Sequence, residues 1–212
     1  MPRRDERRYL SLDGGGLMPY MLDLYAGFGG QSEAYLKAGW DILRIDNNPM
    51  LSEVPNMVVM DAIDLEPNGN VLLDFDYIHA SPPCLEFSTA FSAPRGKAHR
   101  AGDIDYQPSL ELLHEALRII KVVEPKFWSI ENVKGSIKYF APILGPPRLI
   151  VGAWVYWGNF PLFDPSTLKL PTKAMQDKRW SPLRANYRAH IPLCVSQAFL
   201  GAMQSQRSIL EF

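Results

Sequence analysis

The segment from residue 21 to 38 limits the fold more than any other. Met21 to Tyr25 (MLDLY) reads as a buried strand, Ala26-Gly27-Phe28-Gly29-Gly30 as a glycine turn, and Gln31 to about Ala38 as an amphipathic helix. Strand, glycine turn and helix in that order form the opening of a βαβ unit and point to a mostly parallel sheet with helices on both faces. Glycines in such a turn let the backbone approach a ligand closely. A second strand, Ile42 to Ile45, ends in Asp46, and a third, Met57 to Met60, ends in Asp61. An acidic residue about 20 positions beyond the first strand can accept from both hydroxyls of a ribose. The pattern fits an adenosine-containing cofactor. No Gly-Lys-Ser/Thr follows the first strand, so a P-loop NTPase is not expected.

A fourth apolar run, Leu72 to Ala80 (LLDFDYIHA), leads into Ser81-Pro82-Pro83-Cys84. Prolines cannot donate to a ladder, so the strand ends and the chain turns with little freedom. Cys84 is thereby presented at a strand's carboxyl end, where open α/β sheets bind ligands. A small buried cysteine beside a proline turn is the plainer alternative. Glu86 to Tyr106 is polar and holds Arg95, Lys97, His99 and Arg100. It reads either as a solvated surface loop or as a basic loop closing over a phosphate backbone. Ser109 to Val123 has helical apolar spacing and Pro125 stops it; Phe127 to Ile130 is a strand ending in Glu131-Asn132-Val133. Leu149 to Tyr156 reads as one further strand, and Ile191-Pro192 opens a final helix to about Met203.

Composition sets the remaining bounds. The chain has 212 residues, 47% hydrophobic and 21% charged, which suits one globular domain spanning residues 21–212 behind a peripheral basic arm, 1–20. The net charge of −1 gives no global attraction to nucleic acid, so any such contact must use local patches. Two cysteines form no disulfide framework and suit a reducing cytosol. No Cys/His cluster has zinc-ligand spacing, no apolar run has membrane-spanning length, and no signal-peptide h-region is visible.

Five short motifs, in order, carry a resemblance. Asp-Leu-Tyr-Ala-Gly-Phe-Gly-Gly, Ile-Asp-Asn-Asn-Pro, Met-Asp-Ala, Ser-Pro-Pro-Cys-Leu-Glu-Phe-Ser and Ile-Glu-Asn-Val, spread over Asp23 to Val133, resemble the C5-cytosine DNA methyltransferases. The resemblance implies a Rossmann-like fold, S-adenosylmethionine (SAM) as cofactor, and DNA as partner, with the target cytosine flipped out or single-stranded. By that match Tyr25, Gly27 and Gly29 line the methionine side of SAM, Asp46 takes the ribose and Asp61 reaches the adenine. Phe28, Gly30, Asn47, Ala62 and Pro82 complete the cofactor set. Cys84 is the implied nucleophile, Glu131 the proton donor at N3 of the base, and Arg148 the cationic donor at O2, with Arg184 and Arg188 as rivals. Ser88, Arg95, Lys97 and Arg100 are the implied nucleic-acid contacts.

The chain also departs from the family pattern. Leu85 stands where a Gln usually follows the Pro-Cys, Leu144 and Pro146 replace the Gln and first Arg of the motif ending at Arg148, and Ala189 stands where an Asn is expected. A short, proline-rich stretch of about 153–187 replaces a much longer target-recognition region. Sequence reading is then weak, or a protein partner supplies it. Besides an active DNA enzyme, two readings stay open: a SAM-binding relic with a regulatory role, and an enzyme acting on RNA or a free pyrimidine.

Overall fold

The computed structural model describes residues 18–66, 75–88, 93–103, 105–172 and 180–210, without the side chains of 207–210. The basic arm, the start of the run at Leu72, and Lys173, Lys178 and Arg179 lie outside those residues. Seven strands form one sheet: β1 (Tyr20–Leu24), β2 (Asp41–Asp46), β3 (Met57–Val59), β4 (Tyr77–Ala80), β5 (Phe127–Val133), β6 (Leu149–Val151) and β7 (Trp154–Asn159). Their order across the sheet is β3-β2-β1-β4-β5-β7-β6. Strands β1 to β5 pair in parallel, and β7 lies antiparallel between β5 and β6. The order reverses between β1 and β4, so their carboxyl ends open a crevice there. This is the mostly parallel sheet that the glycine turn predicts and the Rossmann-like fold that the resemblance implies.

Helices cover both faces. On one side α1 (Glu33–Lys37) and the last helix, α6 (Leu193–Leu210), bury Tyr35, Val195, Phe199 and Met203 against Met21, Tyr77 and Tyr156. On the other, α3 (Glu111–Val123) and α4 (Ile137–Leu144) bury Leu113, Ala116, Ile119 and Phe140 against Leu22, Ile78, Ile130 and Trp157. Strand alternation sends Tyr77 to the first face and Ile78 to the second, which is why neighbouring residues end in different cores. The remaining helices, α2 (Pro94–Arg100) and α5 (Arg184–Ala189), lie beside the crevice.

Two elements differ from the sequence reading. The expected single strand Leu149 to Tyr156 is a hairpin, because Gly152 takes φ +60° and reverses the chain. Trp154, Val155, Tyr156 and Trp157 are buried in the two cores, so β7 is part of the sheet and not of the reduced recognition stretch assigned to about 153–187. The polar stretch after Cys84, read as a loop, contains α2. Pro94 starts it with a preset φ, and Arg95 ties it inward.

Candidate functional site

The glycine turn leaves β1 at Tyr25, which holds φ +56°, a left-handed conformation unusual for a tyrosine. Its hydroxyl donates to the Leu112 carbonyl at 3.0 Å, so the ring is committed to α3 as well as to the crevice wall. Gly27 follows at φ +54°, and its N–H donates to Asp46 Oδ2 at 2.9 Å. Asn48 N–H donates to the other oxygen of Asp46 at 3.0 Å. A carboxylate has about four acceptor positions, so Asp46 keeps capacity for two ribose hydroxyls while already bracing the turn. A Cβ built on Gly27 would meet only Asn186 Nδ2 at ordinary contact distance, which leaves this part of the turn open to a ligand. These features fit SAM. Asn47 Nδ2 donates to Asp61 Oδ2 at 3.1 Å, linking the ends of β2 and β3, and Asp61 Oδ1 caps the turn that contains buried Ala62.

Gly29 and Gly30 are glycines for a different reason. A Cβ on Gly29 would collide with the Arg44 guanidinium, and one on Gly30 with the Ile191 backbone. Arg44 is fully buried beneath the turn. Its Nε donates to Ser32 Oγ at 2.8 Å and its Nη2 to the Gly29 carbonyl at 3.3 Å, while Ser32 donates to Asp23 Oδ2 at 2.5 Å. Burial raises the Asp23 carboxyl to about 7, against the opposing pull of Ser32 and Arg44. Phe28 packs against Tyr187 of α5, ring centroids 4.6 Å apart and planes tilted by 44°, so α5 lies against the turn.

The Cys84 loop is stapled to β5. Ser81 Oγ donates to Glu131 Oε2 at 3.0 Å, and Asn132 Nδ2 donates to the carbonyl of buried Pro82 at 2.8 Å. Two residues after Pro82, the partly exposed Cys84 begins a turn whose carbonyl accepts from the N–H groups of Phe87 and Ser88. Glu131 sits within β5, two residues before the strand ends at Val133, and is only 7% exposed. Burial raises its carboxyl to about 8; Ser81 pulls the other way and does not offset it. A buried acid that is still protonated at neutral pH can donate a proton.

Behind Ser81 runs a chain of buried polar groups. His79 Nε2 is 2.9 Å from Ser81 Oγ, His79 Nδ1 is 2.7 Å from Ser129 Oγ, and Ser129 Oγ is 2.6 Å from the Tyr77 hydroxyl. Gln31 Nε2 donates to that hydroxyl at 3.3 Å. Burial lowers the His79 imidazole to about 3, so it is neutral. Sequence reasoning missed His79, Ser81, Ser129 and Asn132, along with Arg44. The signal was the alternation Tyr77-His79-Ser81 and Ser129-Glu131, which puts polar residues at every second place in buried strands.

Arg148 is not brought to this site. Its Nε donates to the Phe160 carbonyl at 3.0 Å and its guanidinium lies over the Phe160 ring. Phe160 follows Asn159, which pairs with Trp128 near the start of β5, at the edge of the sheet opposite Cys84. The resemblance at Arg148 to Gly152 therefore matched letters but not position, because the chain lacks the motif's earlier residues and turns at Gly152. The rivals Arg184 and Arg188 are exposed on α5, the helix over the glycine turn. Arg95 is likewise committed inward. Its Nη1 donates to the carbonyls of Phe87 at 3.1 Å and Gly135 at 2.8 Å, so it anchors the Cys84 loop and α2 instead of facing solvent. Lys97 and Arg100 are exposed on α2, and Ser88 is half-exposed beside the loop.

Comparison with known proteins identifies the family. The family model for C-5 cytosine-specific DNA methylases matches residues 20–139. The Type II methyltransferase M.DdeI of Desulfomicrobium norvegicum is 32% identical over 129 residues, which cover 55% of this chain and 28% of that protein. The match thus spans little more than a quarter of that relative. Among solved structures, the Entamoeba histolytica methyltransferase EhMeth aligns with TM-score 0.46 and 16% identity over 67% of this chain and 52% of its own. The S. pombe Dnmt2 methyltransferase aligns with TM-score 0.38 and 22% identity over 56% and 36%. With the family model covering more than half its length, and the motif residues gathered at one edge of the sheet, this chain belongs to the C-5 cytosine-specific DNA methylase family.

Proposed function

We propose that the protein transfers a methyl group from SAM to C5 of cytosine in DNA, with Cys84 as nucleophile and Glu131 as acid. The observation that carries this reading is the neutral, buried Glu131 carboxyl bonded to Ser81, the first residue of the Cys84 loop. C5 of cytosine is too weak a nucleophile to take a methyl group unaided. Addition of the Cys84 thiolate to C6 makes C5 enamine-like, because the ring electrons then flow towards C5. Glu131 supplies a proton at N3 as the thiolate adds, which keeps negative charge from building on the ring. Held by the glycine turn and Asp46, SAM would offer C5 an electrophilic sulfonium methyl and would leave as the neutral thioether. Transfer of the C5 proton to water then expels the Cys84 thiolate and restores the 5,6 double bond, and Glu131 takes its proton back from N3. Arg148 has no part in this scheme.

The test is incubation of purified protein with SAM and either DNA or RNA, read by bisulfite sequencing and mass spectrometry. DNA containing 5-fluorocytosine should trap the protein covalently through Cys84, because fluorine cannot leave as the proton does. Cys84→Ala should abolish transfer with SAM affinity unchanged within about twofold. Full activity in that variant, or no methyl transfer to any substrate by the wild type, overturns the reading. Methyl transfer to RNA alone would redirect it to the RNA substrate.

A further inference from the structure

Resting on the acid role of Glu131, we propose that His79 is a positioning residue. Acting through Ser81, it fixes which carboxyl oxygen of Glu131 carries the proton. Glu131 Oε2 accepts from Ser81, so Ser81's single hydrogen is committed to it. Ser81 can then accept only, and the His79 nitrogen beside it, Nε2, must carry the hydrogen. The other nitrogen, Nδ1, is bare and takes the hydrogen of Ser129, which accepts from Tyr77, which accepts from Gln31. Every proton in the chain has a place, and all point towards Oε2. With His79 in this tautomer the acidic proton is confined to Oε1, the oxygen left for the base.

The opposite polarity is also defined. If Oε2 carried the proton and donated to Ser81, each hydrogen would reverse and His79 would change tautomer. Tyr77 would then need an acceptor at the far end. Gln31 Oε1 is buried and without a hydrogen-bond partner, one amide rotation away. The chain is therefore a two-state device that ends inside the protein. It cannot drain the proton to solvent, and this suits an acid that must take its proton back.

The other titratable groups on this face do not compete. Burial raises Tyr77 on β4 and Tyr156 on β7 far above neutrality. Asp23 on β1, level with His79, accepts from Ser32. A cationic imidazole would hold Glu131 as the carboxylate, and the depth of His79 prevents that.

The experiment compares wild type, Ser81→Ala, Ser81→Thr and His79→Phe, and records kcat against pH together with KM for SAM and for DNA. Loss of the Ser81 donor destabilises the carboxylate, so the alkaline limb of kcat should move to higher pH in Ser81→Ala. Its plateau should fall about 10- to 100-fold from misoriented acid, with both KM values within about twofold. Ser81→Thr should restore both. His79→Phe keeps Ser81 beside Glu131, so it should lower the plateau as Ser81→Ala does with a smaller move of the alkaline limb. Nitrogen-15 NMR of wild-type histidines, free of any activity, should show His79 neutral and protonated at Nε2 from pH 6 to 8. A Ser81→Ala enzyme with an unmoved alkaline limb, or a His79 signal that is cationic or protonated at Nδ1, overturns the proposal. An inactive wild type overturns the acid role of Glu131 instead, while the NMR readout still reports on the chain.

Discussion

Burial holds the Glu131 carboxyl protonated up to about pH 8, and the same burial makes folding pH-dependent. The unfolded carboxyl titrates near 4.5, so Glu131 contributes stability that is full below that pH and is lost as pH rises through about 8. Asp23, raised to about 7, acts in the same direction. His79 acts oppositely, but only below its ordinary value of 6.5. Between pH 6.5 and pH 8 the urea midpoint should therefore fall. The effect is a few kcal/mol at most, from about 1.4 kcal/mol per pKa unit. Glu131→Gln should flatten much of that slope and lower turnover by about 10²- to 10⁴-fold, since an amide cannot deliver the proton. Equal pH slopes in variant and wild type would show that Glu131 is not the buried acid described here.

At the scale of the element, the glycine turn is a structure held from below and read from above. Gly29→Ala forces a Cβ into Arg44 at φ +71° and should cost more than about 1 kcal/mol from the backbone conformation alone. Arg44→Ala should cost about 3 kcal/mol or more, because Ser32 Oγ and the Gly29 and Pro55 carbonyls lose their guanidinium donor and buried Asp23 loses the facing charge. Chemical denaturation of both variants checks these values. Gly29→Ala made in the Arg44→Ala background should cost less than in the wild type, since the clash is gone. Asp46→Ala removes an acceptor at the top of the turn and frees the Gly27 N–H. Calorimetry should show SAM binding weaker by about 1–3 kcal/mol; unchanged affinity would remove Asp46 from the cofactor set.

At the scale of the whole molecule, the proposed function leaves nucleic-acid recognition little surface to use among the described residues. With β7 in the sheet and Arg95 turned inward, reading falls to the segment between Phe160 and α5 and to exposed side chains such as Lys97 and Arg100. Phosphate contacts orient a duplex without reading it, and each base-reading pair adds only about 1–3 kcal/mol of discrimination. Purified protein should accordingly methylate a very short or degenerate target, with strong salt dependence. Lys97→Ala and Arg100→Ala should each reduce the log–log salt slope of DNA binding by about 0.9, with stability unchanged for Lys97→Ala. Arg95→Ala should do the reverse, because it releases the Phe87 and Gly135 carbonyls. Sequencing of methylated cytosines that returns a strict site of four base pairs or more would show that the short segment reads DNA after all.

The first strands along the chain, the glycine turn after β1, and the acidic residues Asp46 and Asp61 after β2 and β3 were legible in the sequence. Each depends on local backbone chemistry: proline and glycine fix turns, and apolar runs fix strands. Which polar side chains face one another was not legible, since that depends on register between strands far apart in the chain. Parallel pairing sets His79 level with Ser129, and the antiparallel β7 sets Tyr156 level with Glu131. The same pairing carried Arg148 to the far edge of the sheet and brought Arg44 beneath Gly29. Sequence spacing determined where the chain turns, and only tertiary pairing decided which buried groups share a proton.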